Sequence, residues 1–449
     1  MNIIIVGAGD VGFHIAKLLS FESQNIYVID LNEEKLDYIN NHIDVITVKG
    51  DATLPSVLRQ AQIHEADLLL AVTESQNTNF TVAVIGKRLG AKKTFARINN
   101  PELAHPDSTI NLREIGLDFV ISPEELASKE IVSLMEMSVF NESISFENGK
   151  LLILGAQLDA SAPIKDMPVS EIKSRFTRHD FLIVAIKRVG SDHVIIPRGD
   201  TILKPNDQVY FSVAAEHFEY LYELLGKEEF EIKDVMILGG STIGEKAAEK
   251  LVHKGFRVKL IELNKKVAYE ISEKLPEVLV IHGDGRDVEL LEEENIDQMD
   301  AFVAVTGNSE TNILSCLVAK TKGVTKTVAL VENIDYIQIS QTIGIDTLIN
   351  KKLLAAGSIF AHVREGDVLA VANIFKLNAE LLEFRIHENS KTAGKKIKDI
   401  KLPRESVLTG IIRENNVIIP TGESILLPGD KIIIMAVTHA IHKVEELFK

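Results

Sequence analysis

The sequence predicts an α/β protein built from two doubly wound parallel sheets, each followed by a small α+β domain. Three features support this prediction. The chain opens with a strand, glycine-rich turn, helix, strand and acidic residue in direct succession. Strand and helix patterns then alternate for about 120 residues, which is typical of a parallel sheet covered by helices. Finally, the whole arrangement is repeated in the second half of the chain.

The opening stretch runs from Asn2 to Asp30. An unbroken β-branched run, Ile3–Val6, stops at the turn Gly7–Gly12, which has the pattern G-x-G-x-x-G. Apolar residues at helical spacing follow, and a second apolar run ends on Asp30, 18 residues after Gly12. This order of elements is the context in which the glycine pattern indicates a dinucleotide-binding, Rossmann-like domain.

Each part of the turn has a physical role. Gly7 allows the tight turn, Gly9 lets the backbone approach a pyrophosphate, and Gly12 lets the helix pack closely on the strand. The start of the helix offers free N–H groups to phosphates, and Asp30 can accept hydrogen bonds from a ribose diol. We therefore predict binding of NAD(H) or an adenine nucleotide in preference to NADP(H), at Gly7, Ala8, Gly9, Asp10, Val11 and Asp30. The alternative is a glycine turn that serves strand–helix packing alone.

Further candidate residues follow the later strands, at the sheet edge where ligands bind in open α/β folds. Strands are predicted at Val45–Val48, Ala66–Thr73, Lys93–Ile98 and Gly116–Pro123, and a helix at Asn79–Leu89. Asp51, Thr73, Glu74 and Arg97 lie at the ends of these strands, and a guanidinium suits a bidentate phosphate contact. Three of them have a structural alternative: Asp51 as a turn former, Thr73 as a strand end, and Arg97 in a surface ion pair.

The chain is a tandem duplication of one large-plus-small unit. Gly239 follows Gly7 by 232 residues, Glu262 follows Asp30 by the same 232 residues, and later matching motifs keep nearly the same offset. We predict large domains at 1–123 and 232–348 and small domains at 143–227 and 368–449, and we call the two halves the first and second units.

The two predicted nucleotide sites differ. The second site comprises Gly239, Gly240, Ser241, Thr242, Ile243 and Glu262, so that a serine replaces the middle glycine. Leu330 stands where the first unit has Arg97 and cannot supply its charge. We therefore expect the second site to bind nucleotide more weakly, or to bind a different nucleotide.

Composition limits the classes of function. The formal net charge of −16 argues against nucleic acid as a partner. No signal peptide and no apolar span long enough for a membrane helix is predicted, so we expect a cytoplasmic protein without direct membrane insertion. Cys316, the single cysteine, lies in an apolar helical run and is predicted to be a small buried side chain. The 13 histidines form no metal-binding or acid–base pattern, so neither catalysis nor a metal site is predicted.

These motifs resemble those of RCK (regulator of K⁺ conductance) units, and the likeness extends over essentially the whole chain. The residues that carry it are the first glycine turn with Asp30, the Gly50–Thr53 loop, Ala71–Thr73 and the Pro-Gly turns of the small domains. The resemblance implies small domains of the RCK C-terminal kind and NAD(H) contacts at the glycine turn, Asp30, Thr73 with Glu74, and Arg97. The matching second-copy positions are Gly239 to Ile243 and Glu262.

The resemblance also implies a regulatory subunit peripheral to the inner face of the cell membrane. It would assemble as a homo-oligomer, either a dimer or a tetrameric ring, and gate a potassium-translocating subunit of the TrkH/TrkG type, with ATP or ADP as further candidate ligands. Two alternatives remain: an NAD-dependent oxidoreductase, and an RCK regulator of another cation channel or antiporter.

Overall fold

The computed structural model describes residues 1–20, 25–100, 111–188, 191, 193–227, 230–333, 336, 344–363, 368–374 and 379–448. These residues form four sheets. The first sheet contains the strands β1 (Asn2–Val6), β2 (Asn25–Asp30), β3 (Ile46–Lys49), β4 (Leu68–Ala71), β5 (Lys93–Arg97) and β6 (Phe119–Ile121), and its helices are Asp10–Ser20, Glu33–His42, Pro55–Gln60 and Gln76–Leu89. The strands are parallel and lie in the order β3-β2-β1-β4-β5-β6. The chain adds strands on one side of β1 and then, from β4 onwards, on the other side, which creates a crevice at the carboxyl ends of β1 and β4.

The sheet of the second unit repeats this topology. Its order is β14-β13-β12-β15-β16-β17, with every neighbouring pair parallel. The predicted duplication and the doubly wound fold class are both confirmed. The strands are β12 (Asp234–Leu238), β13 (Arg257–Glu262), β14 (Leu279–His282), β15 (Ala301–Ala304), β16 (Lys326–Leu330) and β17 (Thr347–Ile349), and the helices are Thr242–His253, Lys265–Lys274, Val288–Glu293 and Ser309–Thr321.

Each small domain is an antiparallel sheet with short helices. The first has the order β10-β9-β11-β8-β7 and the second β18-β19-β22-β20-β21. The first contains β7 (Glu142–Phe146), β8 (Leu151–Gln157), β9 (Phe181–Lys187), β10 (Val194–Ile195), β11 (Gln208–Ala214) and the helices Val169–Arg175 and Tyr220–Leu225. The second contains β18 (Val368–Ile374), β19 (Ala379–Arg385), β20 (Ser406–Arg413), β21 (Asn416–Ile418), β22 (Lys431–Val437) and the helix Ile441–Phe448.

Two linker helices hold the units together. Linker helix 1 (Pro123–Glu136) leaves the first large domain, yet Ala127 and Ile131 share one apolar core with Ile243 and Ala247 of the second. Linker helix 2 (Lys351–Val363) leaves the second large domain, and its residues Ala355 and Ile359 pack into the core of the first large domain. Each unit therefore buries its linker helix against the other.

The two small domains also pack on each other. Tyr210 of the first shares a core with Leu381 and Met435 of the second, and the Ser212 hydroxyl donates to the carbonyl oxygen of Thr409 over 2.8 Å. The single chain is thus a pseudo-symmetric pair of units with contacts along its length. Across the described residues, no helix has both the length and the apolar surface that crossing a bilayer requires.

Candidate functional site

A cavity of about 530 Å³ lies at the carboxyl ends of β1 and β4 in the first unit. Nearly all of the predicted first-site residues line it: Gly7, Gly9, Asp10, Val11, Asp30, Asp51, Thr73, Glu74 and Arg97. Ala8 takes part through its backbone, as described below. The residues that were identified by spacing along the sequence therefore converge on one crevice at the topological switch point of the sheet.

The glycine turn has the geometry that its sequence predicts. Gly7 has φ of 109°, and its N–H donates to the carbonyl oxygen of Ile29 over 2.9 Å. A Cβ on Gly12 would lie 1.8 Å from the carbonyl oxygen of Gly7, so only glycine allows this packing of helix on strand. A Cβ on Gly9, in contrast, would meet no atom within 4 Å. The space in front of Gly9 is open to a ligand.

Asp30 has a structural role that the sequence did not predict. One of its carboxylate oxygens accepts the Ala8 N–H at 2.6 Å, and the other accepts the Asn32 N–H at 2.8 Å. The side chain therefore fixes the glycine turn relative to the end of β2. Each carboxylate oxygen can accept a further hydrogen bond, so a ribose diol can bind at the same group.

The end of β4 is organised by Asn79, which the sequence reasoning did not single out. This fully buried side chain accepts from the N–H and hydroxyl of Thr73, and its amide donates to the carbonyl oxygens of Thr73 and Arg97. Asn79 thus joins the ends of β4 and β5, where two predicted site residues lie. The next helix is capped by Ser75, whose hydroxyl accepts the Thr78 N–H.

Asp51 and Arg97 combine the predicted positions with their structural alternatives. Asp51 accepts from both the N–H and the hydroxyl of Thr53, and the bond from the hydroxyl is the main cause of its lowered pKa. Arg97 forms an ion pair with Glu124 at 3.4 Å, but its side chain is only 17% exposed and lines the cavity. Arg97 can therefore contact a ligand in the cavity, which an arginine in an ion pair on the outer surface could not do.

The second unit keeps the backbone cradle. Gly239 repeats the φ of 109°, and Glu262 accepts the N–H groups of Gly240 and Asn264, each at 2.6 Å. Asn312 makes the same set of bonds to Thr306 and to the carbonyl oxygen of Leu330 that Asn79 makes in the first unit. The elements that shape the turn were duplicated together.

The second cradle differs where phosphate would bind. Ser241 is the N-cap of the helix Thr242–His253, and its hydroxyl donates to the carbonyl oxygen of Val305 at 2.8 Å and accepts the Gly244 N–H at 3.4 Å. Ile243 is buried in the core, as is Leu330. A protein side chain therefore occupies the helix start that is open in the first unit.

The comparisons with known proteins agree with this architecture. The TrkA-N domain model matches residues 3–123 and 235–351, and the TrkA-C domain model matches residues 154–226 and 381–449. The chain belongs to the TrkA family. The predicted resemblance to tandem RCK units is thereby confirmed.

Full-length relatives support the assignment to the TrkA family. The chain is 33% identical to the Trk system potassium uptake protein TrkA of Vibrio alginolyticus, covering 100% of this chain and 99% of the relative. It is also 33% identical to the protein of the same name from Haemophilus influenzae, with the same coverage. Among solved structures, the GsuK channel bound to NAD aligns with a TM-score of 0.63 at 18% identity, covering 100% of this chain and 78% of that one. At that identity the likeness concerns the fold.

Residues from the second unit complete the lining of this cavity. Glu332, Lys351 and Lys352 line the same cavity as Gly7 and Asp30, more than 300 residues away in sequence. No local pattern in the sequence points to these three residues, because they reach the cavity only through the packing of the second unit, including linker helix 2, on the first. Among the described residues, no cluster of three or more His, Cys, Asp or Glu side chains could hold a metal ion.

Proposed function

We propose that this chain is an NAD(H)-binding regulatory subunit that gates a membrane potassium-translocating subunit of the TrkH/TrkG type. The observation that carries the proposal is the cradle of the first unit. Its turn is fixed by Asp30, the space around Gly9 at its helix start is open, and its cavity lies at the switch point of a doubly wound sheet.

The known relatives support both halves of this proposal. Relatives that align with this chain over 99% of their own length are named as potassium uptake proteins of the Trk system. A structural neighbour is described as bound to NAD, and another, with a TM-score of 0.50, as bound to ADP. NAD(H) is therefore the proposed ligand of the first site, and ADP or ATP the proposed competitor.

The mechanism follows from the exchanged linker helices. A nucleotide that binds between the glycine turn and the second unit contacts both partners of an intramolecular interface. It can favour one angle between the units over another only through a difference in its affinity for the two arrangements. We propose that several copies assemble into a homo-oligomer at the inner face of the membrane, so that such changes act together on the transporter.

Regulation without catalysis fits the chemistry of the cavity. Asp30 and Asp51 already hold backbone groups in place, and Arg97 is paired with Glu124. Hydride transfer would require an acid–base group beside the nicotinamide. Consumption of NADH during incubation with a panel of metabolites would contradict this part of the proposal.

The variant Gly9→Val tests the nucleotide site directly. A Cβ at this position would meet no protein atom within 4 Å, but the valine side chain would occupy the space of the pyrophosphate, so calorimetry should show loss of NADH binding to the first unit while the thermal midpoint stays close to that of the unmodified chain. Gly422→Val is the matched control, because its Cβ would meet only the Lys398 side chain at an ordinary 3.5 Å in the second small domain. Full binding by Gly9→Val would refute the site.

The same pair of variants tests the regulatory role. In vesicles that contain the co-purified membrane subunit, NADH should alter potassium flux with the unmodified chain and with Gly422→Val. It should have no effect with Gly9→Val. A potassium flux that is the same with and without the chain would contradict gating.

A further inference from the structure

The first nucleotide cavity contains an ion-pair chain that crosses the interface between the units. Lys351 and Lys352, at the start of linker helix 2, lie 3.2 and 3.5 Å from the two carboxylate oxygens of Glu332. Lys352 also pairs with Asp10, at the beginning of the first helix. Both lysine side chains are largely buried, at 23% and 20% exposed, and both line the cavity. Their placement is thus part of the site.

The charges of the cavity make these lysines important. Among the described lining residues, the carboxylates of the first unit are Asp10, Asp30, Asp51 and Glu74, and its cations are Lys35 and Arg97. The first unit alone would therefore present an anion-rich crevice to a phosphate. Lys351 and Lys352 double the number of cationic side chains, although Glu332 partly neutralises them.

Recognition at this edge has to come from the side chains of linker helix 2. The Asn350 side-chain oxygen accepts the N–H groups of Lys352 and Leu353, each at 3.0 Å, so the backbone donors at the helix start are already used. The ammonium groups remain as mobile point charges that can move from a carboxylate to a phosphate.

The internal symmetry argues against a purely structural role. Arg97 pairs with Ile121, as Leu330 pairs with Ile349, so Pro123 and Glu124 of linker helix 1 match Lys351 and Lys352. The other linker helix packs on its partner domain without either lysine. The two lysines therefore lie beside the first unit's glycine turn, which has all three glycines, and linker helix 1 has no lysine at the matching positions.

We propose that Lys351 and Lys352 bind the phosphates of a nucleotide held in the first site, and that Glu332 competes with those phosphates. This inference rests on the proposed function. It makes linker helix 2 a direct sensor of occupancy, because Ala355 and Ile359 of the same helix pack into the first unit's core. It also favours nucleoside di- and triphosphates, whose chain of phosphates carries more charge than the pyrophosphate of NADH.

Calorimetry of the full chain with ATP and with NADH tests the inference. The binding event that disappears in Gly9→Val defines the first site. Lys351→Ala and Lys352→Ala should each weaken ATP binding there about tenfold and NADH binding less, since a charged hydrogen bond is lost. Lys352→Arg should retain most of the affinity, and Glu332→Gln should strengthen ATP binding.

Lys246→Ala is the matched control. Lys246 is also a largely buried lysine, 15% exposed, that crosses the interface, but it pairs with Glu125 away from this cavity. If Lys246→Ala weakens ATP binding as much as Lys352→Ala does, the effect comes from a loosened interface and the inference is wrong. Unchanged ATP affinity in both lysine variants, with binding lost in Gly9→Val, would also overturn it while leaving the proposed function intact. Full binding by Gly9→Val would refute the proposed function itself, and the inference with it.

Discussion

The hydroxyl of Ser241 donates to the carbonyl oxygen of Val305 over 2.8 Å and so links the second glycine turn to the end of β15. The same hydroxyl accepts the Gly244 N–H, one of the donors that would otherwise face an anion at the start of this helix. The first unit has Gly9 at the matching position, with open space around it. One added hydroxymethyl group thus changes a phosphate cradle into a helix that caps itself.

Ser241→Gly should therefore strengthen nucleotide binding to the second unit. Removal of the cap costs only a few tenths of a kcal/mol when glycine replaces serine, so the fold should tolerate the change. Calorimetry in the Gly9→Val background isolates the second site, where we expect NADH or ATP affinity to rise severalfold. The reciprocal variant, Gly9→Ser in the otherwise unmodified chain, should weaken the first site. Unchanged affinities in both variants would show that the cap does not control binding.

Asn79→Ala should destabilise the first unit. The substitution removes an acceptor for Thr73 and leaves the partly buried carbonyl oxygens of Thr73 and Arg97 without that donor. We expect a loss of about 2–3 kcal/mol, seen as a fall of about 5 °C or more in the thermal midpoint. Asn40→Ala is the control, because Asn40 is exposed and its side-chain amide donates to the Thr47 hydroxyl at 2.8 Å on the surface. Equal midpoints for the two variants would contradict the role of Asn79.

Local sequence patterns predicted the sheets well because buried strands need continuous apolar runs. The ends of the elements were predicted less well. The strand predicted for Ala66–Thr73 is Leu68–Ala71, since the Thr73 N–H is bonded to the Asn79 side chain and not to a neighbouring strand. The helix predicted from Asn79 begins at Gln76, because Ser75 caps it.

Longer-range features could not be predicted from such patterns. Linker helix 1 ends at Glu136, and Phe140, only four residues later, is already buried in the core of the first small domain. The exchange of linker helices depends on how two cores fit together. Nothing in the sequence around Lys351 and Lys352 indicates a binding site. Only the packing of the two units brings both lysines into the cavity with Asp10 and pairs Lys352 with it.

Cys316 should be unreactive in the native protein. The side chain is fully buried, its thiol lies 3.4 Å from the carbonyl oxygen of Val328, and burial raises its pKa well above the ordinary value. Because thiolate is the reactive species, a maleimide at pH 8 should label the folded chain very slowly and label one site in denaturant. Rapid labelling under native conditions would contradict the predicted role as a buried apolar side chain.

Glu125 should make the interface between the units sensitive to acid. It lies on linker helix 1 and pairs with Lys246 and Lys250 of the second unit at 3.0 and 3.1 Å. Burial alone would raise its pKa, but the hydrogen bonds from these two lysines lower the pKa from 4.5 to about 2. The folded state therefore favours the charged form, and the resulting stabilisation is present above pH 4.5 and is lost as the pH falls from there towards 2.

The comparison of Glu125→Gln with the unmodified chain tests this dependence. At pH 7 the variant should have the lower thermal midpoint, by an amount that corresponds to at most about 3 kcal/mol before solvent screening. More than half of the difference should disappear by about pH 3 and nearly all of it by about pH 2, because Glu125 becomes protonated in the folded state only near its lowered pKa. Glu136→Gln removes a more exposed carboxylate, 41% accessible, that pairs with Lys254 directly after the same second-unit helix, and it should change the midpoint little at any pH. A gap between Glu125→Gln and the unmodified chain that stays constant from pH 7 to pH 3 would show that the carboxylate charge does not hold linker helix 1 on the second unit.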